Sequence, residues 1–93
     1  MKFMAIGRVK ATPEQLAPHM AKEPAETLRH YLEGKIEQFW FVERQGPIFL
    51  LNAESEAEAR AGLATLPLVM ADLITYELLP VSPLAPLGRL LQT

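Results

Sequence analysis

The chain has 93 residues, of which 49% are hydrophobic and 22% are charged, and this composition is typical of one folded globular domain. Its formal net charge is -2 and its basic residues are not clustered, so it lacks the electrostatic footprint expected of a protein that binds nucleic acid or an anionic membrane. Cysteine is absent, which excludes disulfides and thiolate chemistry, and with no secretory signal or membrane-spanning run we expect a cytoplasmic protein.

The first predicted elements are a strand over residues 2–9 and a helix. Thr12 is a suitable cap for this helix, and Pro13 suits its first position. Pro24 lies about three turns in and removes a backbone donor, so we expect a kink or break near residues 21–24. The apolar stripe that would pack on a sheet consists of Leu16, Met20, Thr27, Leu28 and Tyr31.

The sequence KIEQFWFVER, residues 35–44, predicts a second strand without a polar face. Alternate side chains of a strand point to opposite sides, and both sides are apolar here: Ile36, Trp40 and Val42 against Phe39 and Phe41. A turn at Gly46 leads into a third strand, IFLLNA, and the two strands should form a hairpin.

The remaining elements are a second helix and a last strand. Ser55 and Glu58 form a capping box, and the helix should run to about Thr65, where Pro67 stops it. The segment ADLITYELL, residues 71–79, predicts the last strand. This β-α-β-β-α-β order predicts an α+β ferredoxin-like antiparallel sheet with both helices on one face.

The second face of the predicted sheet is also apolar. Helices cover one face, and a solvated second face would alternate with polar residues. A bare apolar face would exceed the few hundred Å² that soluble monomers usually expose. We therefore expect this face to meet a second copy of the chain in a twofold dimer.

We predict one domain over residues 1–80 and a C-terminal arm over residues 81–93. The prolines of the arm forbid an ordinary helix or central strand, while its leucines make it too apolar for a free linker. A neighbouring subunit is one surface on which the arm can pack, and its own domain is the other.

With these elements in place, the chain resembles the muconolactone isomerase-like branch of the dimeric α/β-barrel superfamily. The resemblance rests on the length, the element order, Trp40 in the second strand, the proline-bearing tail, and the short motifs Glu33-Gly34 and Leu66-Pro67-Leu68. It implies a barrel-like homodimer without a cofactor, sometimes assembled further through C-terminal arms. The best-known reaction of this family shifts a carbon-carbon double bond in a small unsaturated lactone by proton transfer.

Glu23 is the candidate catalytic base. Proton transfer next to a carbonyl requires a carboxylate or an imidazole in a dry pocket, where burial raises the pKa of a carboxylate toward the working pH. Glu23 borders the apolar stripe beside Pro24, and the resemblance aligns it with an acidic residue in the first helix of the family. The alternative interpretation is a surface glutamate on a kinked helix.

Five further residues are candidates for substrate binding: Arg8, His19, Gln38, Trp40 and Tyr76. His19 precedes the candidate base by four residues and shares its helical face. Gln38 and Tyr76 are polar residues inside apolar strands, as expected for a few placed groups in an apolar pocket. Each residue also has a structural interpretation as a solvated ion pair, a contact across the dimer or core packing.

One departure from the family pattern concerns the charge of the substrate. Where the family enzyme has basic residues in the second strand, this sequence has Glu37, Gln38 and Phe41. Without those cations an anionic lactone would lose its hydration on binding and would gain few charge-assisted hydrogen bonds in exchange. The cations that could compensate are Arg8, Lys35 and Arg44.

The sequence supports two main hypotheses about function. The first is a small cofactor-independent isomerase-like enzyme that transfers a proton on a hydrophobic or aromatic-derived ring compound, with a cofactor-free monooxygenase as a related possibility. The second is a non-catalytic dimeric module that binds a small apolar ligand or only assembles. No metal is expected, because His19, Glu23 and His30 do not form an H-E-x-x-H pattern and Pro24 disturbs their register.

Overall fold

The computed structural model describes residues 1–82 and Leu91, and its strands form one antiparallel sheet. The strands are β1 (Lys2–Val9), β2 (Ile36–Val42), β3 (Gly46–Asn52) and β4 (Ile74–Val81), arranged in the order β2-β3-β1-β4. The helices are α1 (Pro13–Leu16), which continues into a 3-10 turn (Ala17–His19), α2 (Lys22–Leu32), α3 (Glu56–Leu63) and α4 (Pro67–Met70). This confirms the predicted α+β ferredoxin-like arrangement.

The predicted C-terminal arm lies almost wholly outside the described residues. β4 itself runs to Val81, so the last strand reaches the predicted boundary between domain and arm. How the arm packs stays a prediction. In the described part of the chain, no helix is long and apolar enough to cross a membrane.

One face of the sheet, here called the inner face, carries the hydrophobic core. Its strand residues and the helical residues that cover them form one buried cluster: Phe3, Ala5, Ile36, Phe49, Leu51, Leu78, Ala59, Leu63 and Leu66. Ala5 of the central strand pairs with Phe49 on one side and Leu78 on the other, so the core is continuous across three strands. Phe49 of this face lines the same cavity as Glu23.

The opposite face of the sheet, here called the outer face, is apolar but not buried. Met4 of β1 lies between Leu50 of β3 and Leu79 of β4 in the ladder. None of the apolar residues on this face is buried by the described chain: Met4, Ile6, Trp40, Val42, Ile48, Leu50 and Leu79. The structure therefore agrees with the expectation that both faces of the sheet are apolar.

A β-bulge in β2 overturns the predicted side of one residue. Strict alternation placed Ile36 on the same side as Trp40, and this is wrong. The register shifts between Ile36 and Gln38, so that Ile36 pairs with Leu51 and is only 1% exposed. A shift of one residue moves a side chain to the other face, and here it moves Ile36 into the core.

The break predicted near residues 21–24 is confirmed. The α1 segment begins with a capping box in which Thr12 and Gln15 exchange hydrogen bonds, and it ends in the 3-10 turn at His19. α2 then begins at Lys22, so Pro24 lies in its first turn. A proline is tolerated there because the N–H that it lacks would have no partner within the helix.

The most buried side of α2 is offset from the predicted apolar stripe. Leu28 and Tyr31 are 50% and 43% exposed, whereas Glu23 and His30 are the buried residues of this helix. Glu23 and His30 are seven positions apart, which is about two turns, so they lie on one side. Leu28 of the stripe instead borders an open cavity beside the sheet, and the Tyr31 ring contacts Phe39, so the stripe lies next to the sheet without being buried against it.

The helix α4 was not predicted. Pro67 was expected to stop the second helix, but α3 ends at Leu63 and Pro67 occupies the first position of α4. Proline favours that position because its fixed φ angle suits a helix start. This short helix brings the backbone of Leu68 against α2, where it contacts Glu23.

Replacing Gly7 with alanine is expected to destabilise the fold. A Cβ atom at Gly7 would lie 2.8 Å from the Pro47 carbonyl oxygen and 2.8 Å from Cε1 of Tyr76. Because β1 is held on both sides by backbone ladders, relief requires a shift of packed atoms, at a cost of about 1–3 kcal/mol. Urea denaturation measures this change in the free energy of unfolding.

The matched control is the same change at Gly62. A Cβ atom there would meet nothing within 4 Å, so alanine should stabilise α3. Equal effects of the two substitutions would contradict the assignment of close packing at Gly7.

Candidate functional site

A wide cavity lies between the helical layer and the β2-β3 end of the sheet. It has a volume of about 870 Å³, within the range of small-molecule sites. Its lining is mostly apolar and aromatic and includes Met20, Leu28, Phe39, Trp40, Phe41 and Phe49. Several of these side chains are partly exposed, so the cavity opens to solvent.

Glu23 is the one carboxylate among the described residues that line this cavity. Its side chain is 8% exposed, and its Oε2 accepts a hydrogen bond from the Leu68 backbone N–H at 2.9 Å. Leu68 lies in the first turn of α4, whose N-cap residue Leu66 makes no side-chain cap. Glu23 therefore satisfies a helix N–H that would otherwise lack a partner and links α2 to α4.

Burial raises the pKa of Glu23 above its ordinary value of 4.5. The hydrogen bond from Leu68 and the charge of His19 act in the opposite direction, and the nearby charge of Glu26 adds to the increase. Desolvation is the largest of these effects because the ionised form loses water in an apolar wall. A carboxylate whose pKa lies closer to neutrality can both accept and return a proton.

The raised pKa of Glu23 predicts a specific pH dependence of stability. Because the folded chain holds the Glu23 proton to higher pH than the unfolded chain, the stabilising effect is complete below pH 4.5 and is lost as the pH rises through the folded-state pKa. Relative to a Glu23→Gln variant, the native protein should become less stable as the pH increases through this window. Urea denaturation of both proteins across the acidic and neutral range measures the difference, and a constant difference would contradict the prediction.

The other predicted site residues are not all brought together. Trp40 contributes to the lining, although its pairing with Ile48 places its side chain on the outer face. His19 lies at the end of the 3-10 turn, near enough to influence Glu23 electrostatically, although it is not part of the lining. Arg8 and Gln38 lie on the outer face, away from the cavity. The Arg8 guanidinium is 3.8 Å from the Glu77 carboxylate, so its nearest charged partner is on that face.

Arg44 is the one cation among the described lining residues. It lies in the turn between β2 and β3 with a positive φ angle of 62°, a conformation that few residues other than glycine adopt. Lys35, another cation considered from sequence, lines a different cavity and is 3.6 Å from Glu33. The sequence offered both cations as possible partners of a substrate anion, and the structure places Arg44, but not Lys35, at the cavity that holds Glu23.

Tyr76 lies on the inner face of β4, where its ring stacks on Phe49. The ring centroids are 5.6 Å apart and the planes meet at 26°. The hydroxyl is buried and has no hydrogen-bond partner among the described residues. Burial, together with the negative charge of Glu23, raises the pKa of this phenol well above its ordinary value. Tyr76 does not line the cavity that holds Glu23, and it borders a separate cavity of about 280 Å³ instead.

His30 belongs to a separate cavity of about 290 Å³ between α2 and α3. Its Nε2 is 3.0 Å from the Thr65 hydroxyl, which itself donates to the Gly62 carbonyl, so the imidazole is the donor to Thr65. Burial lowers the pKa of His30 and favours the neutral ring. No group of three or more potential metal ligands occurs in the part of the chain that the structure describes.

The sheet order, the helical layer and the cavity beneath it define a ferredoxin-like α+β protein with a small-molecule-sized cleft. No protein-family model and no curated protein matches the chain. Among solved structures, a crystal structure of muconolactone isomerase matches with a TM-score of 0.72 and 21% sequence identity, covering 90% of this chain and 93% of that chain. The fold is therefore muconolactone isomerase-like, which confirms the resemblance at the level of fold.

Proposed function

We propose that this protein is a small cofactor-independent isomerase-like enzyme that transfers a proton on a hydrophobic ring compound. The observation that carries this proposal is a single buried carboxylate, Glu23, in the wall of an apolar cavity of about 870 Å³. The isomerase-like fold is consistent with it. A lactone-like or aromatic-derived ring suits the aromatic lining better than a strongly polar metabolite.

In the proposed reaction, Glu23 removes a proton from a carbon next to a carbonyl group. The electron pair of the broken C–H bond forms a new carbon-carbon double bond, and the carbonyl pair moves to the oxygen. Glu23 then returns the proton to a carbon farther along the conjugated system, which shifts the original double bond. The hydrogen bond from Leu68 fixes Oε2 of Glu23, so Oε1 is the oxygen that accepts the proton.

The surroundings of Glu23 support this chemistry in two ways. Glu23 itself is buried, and this burial raises the pKa of its carboxylate above the ordinary value. Arg44 provides a positive charge in the same cavity, where it can attract a polar substituent of the ring. The protein can therefore use one acid-base group for the whole proton shift.

The test is a proton-exchange screen that detects the first chemical step whatever the final product is. Unsaturated lactones, cyclic ketones and phenols are incubated with the protein in deuterium oxide, and loss of carbon-bound protons is followed by NMR. Exchange faster than in buffer, next to a carbonyl and on at least one neutral ring compound, is the expected result. Binding without exchange across the panel would overturn catalysis and favour a binding module.

The second candidate function is a dimeric module that binds a small apolar ligand or only assembles. It is supported by the outer face, where Trp40 and Leu79 are 47% and 42% exposed. Charged residues border this apolar surface, including Lys2 with Glu37 and Arg8 with Glu77. An apolar centre with a charged margin is the usual anatomy of a protein interface, and a second copy of the chain is the partner that we propose.

A further inference from the structure

The most buried side of α2 carries polar residues. Glu23 and His30 are the buried residues of this helix, and Thr27, which is half-buried, lies between them. Spacings of four and then three residues place all three on one side of a helix. Apolar residues normally occupy the inward side of a helix that packs on a sheet, so this row of polar residues calls for an explanation beyond packing.

The two ends of this row have partners in the fold, whereas its middle does not. The Glu23 carboxylate accepts a hydrogen bond from the Leu68 N–H, and the His30 imidazole is 3.0 Å from the Thr65 hydroxyl. Thr27 forms no side-chain hydrogen bond with a described residue of α2 or of the elements around it. A threonine in a helix can bond to the carbonyl four residues earlier, but Thr27 does not form this bond with Glu23. Its hydroxyl group is therefore available to a ligand.

Thr27 and Glu23 line the same cavity. Residues four positions apart on a helix have Cβ atoms about 5–6 Å apart, so the two side chains can reach neighbouring atoms of one bound molecule. Phe39 and Phe49, from β2 and β3, also line this cavity and provide the apolar surface that a flat ring can contact. An acid-base group and a hydroxyl group thus lie one helical turn apart in the wall of one apolar cavity.

We propose that the Thr27 hydroxyl donates a hydrogen bond to a carbonyl oxygen of the bound ring compound, next to the carbon from which Glu23 removes a proton. This inference rests on the proposed function. When the C–H pair forms the new double bond, the carbonyl pair moves to oxygen, and the hydrogen bond from Thr27 stabilises the resulting oxyanion. Thr27 keeps its proton throughout, because the only proton transferred is the one that Glu23 takes and returns.

A neutral hydroxyl suits this position better than a cation does. A positive charge beside Glu23 would lower the pKa of its carboxylate, which burial raises, whereas the hydroxyl of Thr27 carries no charge. Thr27 is half-buried, while Arg44, the cation of the lining, is exposed in the turn between β2 and β3. Hydrogen bonds are stronger where water is excluded, so Thr27 is the better placed donor. The ligand class that follows is a ring compound with a carbonyl group.

The test compares Thr27→Val with Thr27→Ser. Valine keeps the shape of threonine and removes the hydroxyl group, whereas serine keeps the hydroxyl group and removes a methyl group. For any ring compound that the native protein exchanges, we expect the exchange rate to fall about 100-fold in Thr27→Val, as for other single donors to an oxyanion, and to stay close to the native rate in Thr27→Ser. Equal losses in both variants would assign the effect to packing and would overturn the inference.

The matched control is Thr75→Val. It is the same chemical change at an exposed residue of β4, and this residue does not line the cavity that holds Glu23. Exchange should continue at the native rate in this variant. Circular dichroism checks that each variant is folded.

A binding measurement separates this inference from the proposed function. Tetralone and tetralin share one fused ring system, but only tetralone has a carbonyl oxygen. NMR titration of the amide signals of the protein measures both affinities. We expect Thr27→Val to weaken tetralone binding about fivefold and to leave tetralin binding unchanged. Equal tetralone affinities for the native protein and Thr27→Val, or no binding of tetralone by the native protein, would overturn the inference, with or without catalysis.

The exchange data give the second decision. Exchange that is lost in Glu23→Gln but unchanged in Thr27→Val would overturn the role of Thr27 and leave the proposed function standing. Selective loss of tetralone binding in Thr27→Val, in a protein that exchanges no compound, would support the hydrogen bond while the proposed reaction fails.

Discussion

Replacing Glu23 with glutamine is expected to lower the rate of proton exchange by about 100-fold or more without unfolding the chain. Glutamine has nearly the same shape, and its amide oxygen can still accept the hydrogen bond from the Leu68 N–H that Glu23 accepts at 2.9 Å. It cannot accept a proton at neutral pH. The substitution thus removes the acid-base group and preserves the link between α2 and α4.

Two further substitutions make this result specific. Glu56→Gln is the same chemical change on the exposed surface of α3, at a residue that neither lines the cavity nor contributes to the pKa of Glu23, and it should leave exchange intact. Glu23→Ala removes both the base and the link to α4, so it should also lower the free energy of unfolding by about 1–3 kcal/mol. If Glu23→Gln exchanges protons at the native rate, the proposed role of Glu23 is wrong.

Replacing Leu50 with lysine is expected to convert a dimer into a folded monomer. Leu50 lies on the outer face opposite Met4 and is not buried by its own chain, so the monomer can accommodate the longer side chain in solvent. In the proposed dimer, a lysine from each subunit would lie in the apolar interface formed by the outer faces. Burying unpaired charges costs several kcal/mol, which a small interface cannot offset.

Light scattering coupled to size-exclusion chromatography measures the subunit number, and circular dichroism checks that the variant is folded. Ala57→Lys introduces the same charge on the exposed surface of α3 and should leave the dimer intact. A native protein that is already monomeric, or a Leu50→Lys variant that stays dimeric, would contradict the assignment of the outer face as the interface.

Local sequence signals predicted the four strands and the other helices, but they did not predict α4 or the side on which every residue lies. The capping pair Thr12 and Gln15 and the helix-breaking effect of Pro24 act within a few residues, so the broken first helix could be predicted. The inward turn of Ile36 could not, because a bulge depends on how β2 pairs with β3. The apolar stripe through Leu28 borders the cavity, but the burial of Glu23 and His30 could not be predicted, because it depends on how α2 packs against elements distant in the sequence.

The candidate site shows the same division between local and distant causes. Glu23 could be selected from sequence because it combines a carboxylate, an apolar border and a helix break. Its partner Leu68 is 45 positions away and lies on a helix that was not predicted, so no local pattern indicated the contact. Arg8 and Gln38 were chosen by residue type alone, and the strand register places both on the outer face.

The two buried titratable residues of α2 have a joint effect on how the protein tolerates acid. Glu23 loses stabilising effect as the pH rises above 4.5, while His30, whose pKa is lowered from 6.5, loses stabilising effect as the pH falls below that value. The two trends oppose each other across the mildly acidic range. As the surroundings acidify, the stability gained by protonating Glu23 therefore offsets part of the stability lost by protonating the buried His30 on the same helix.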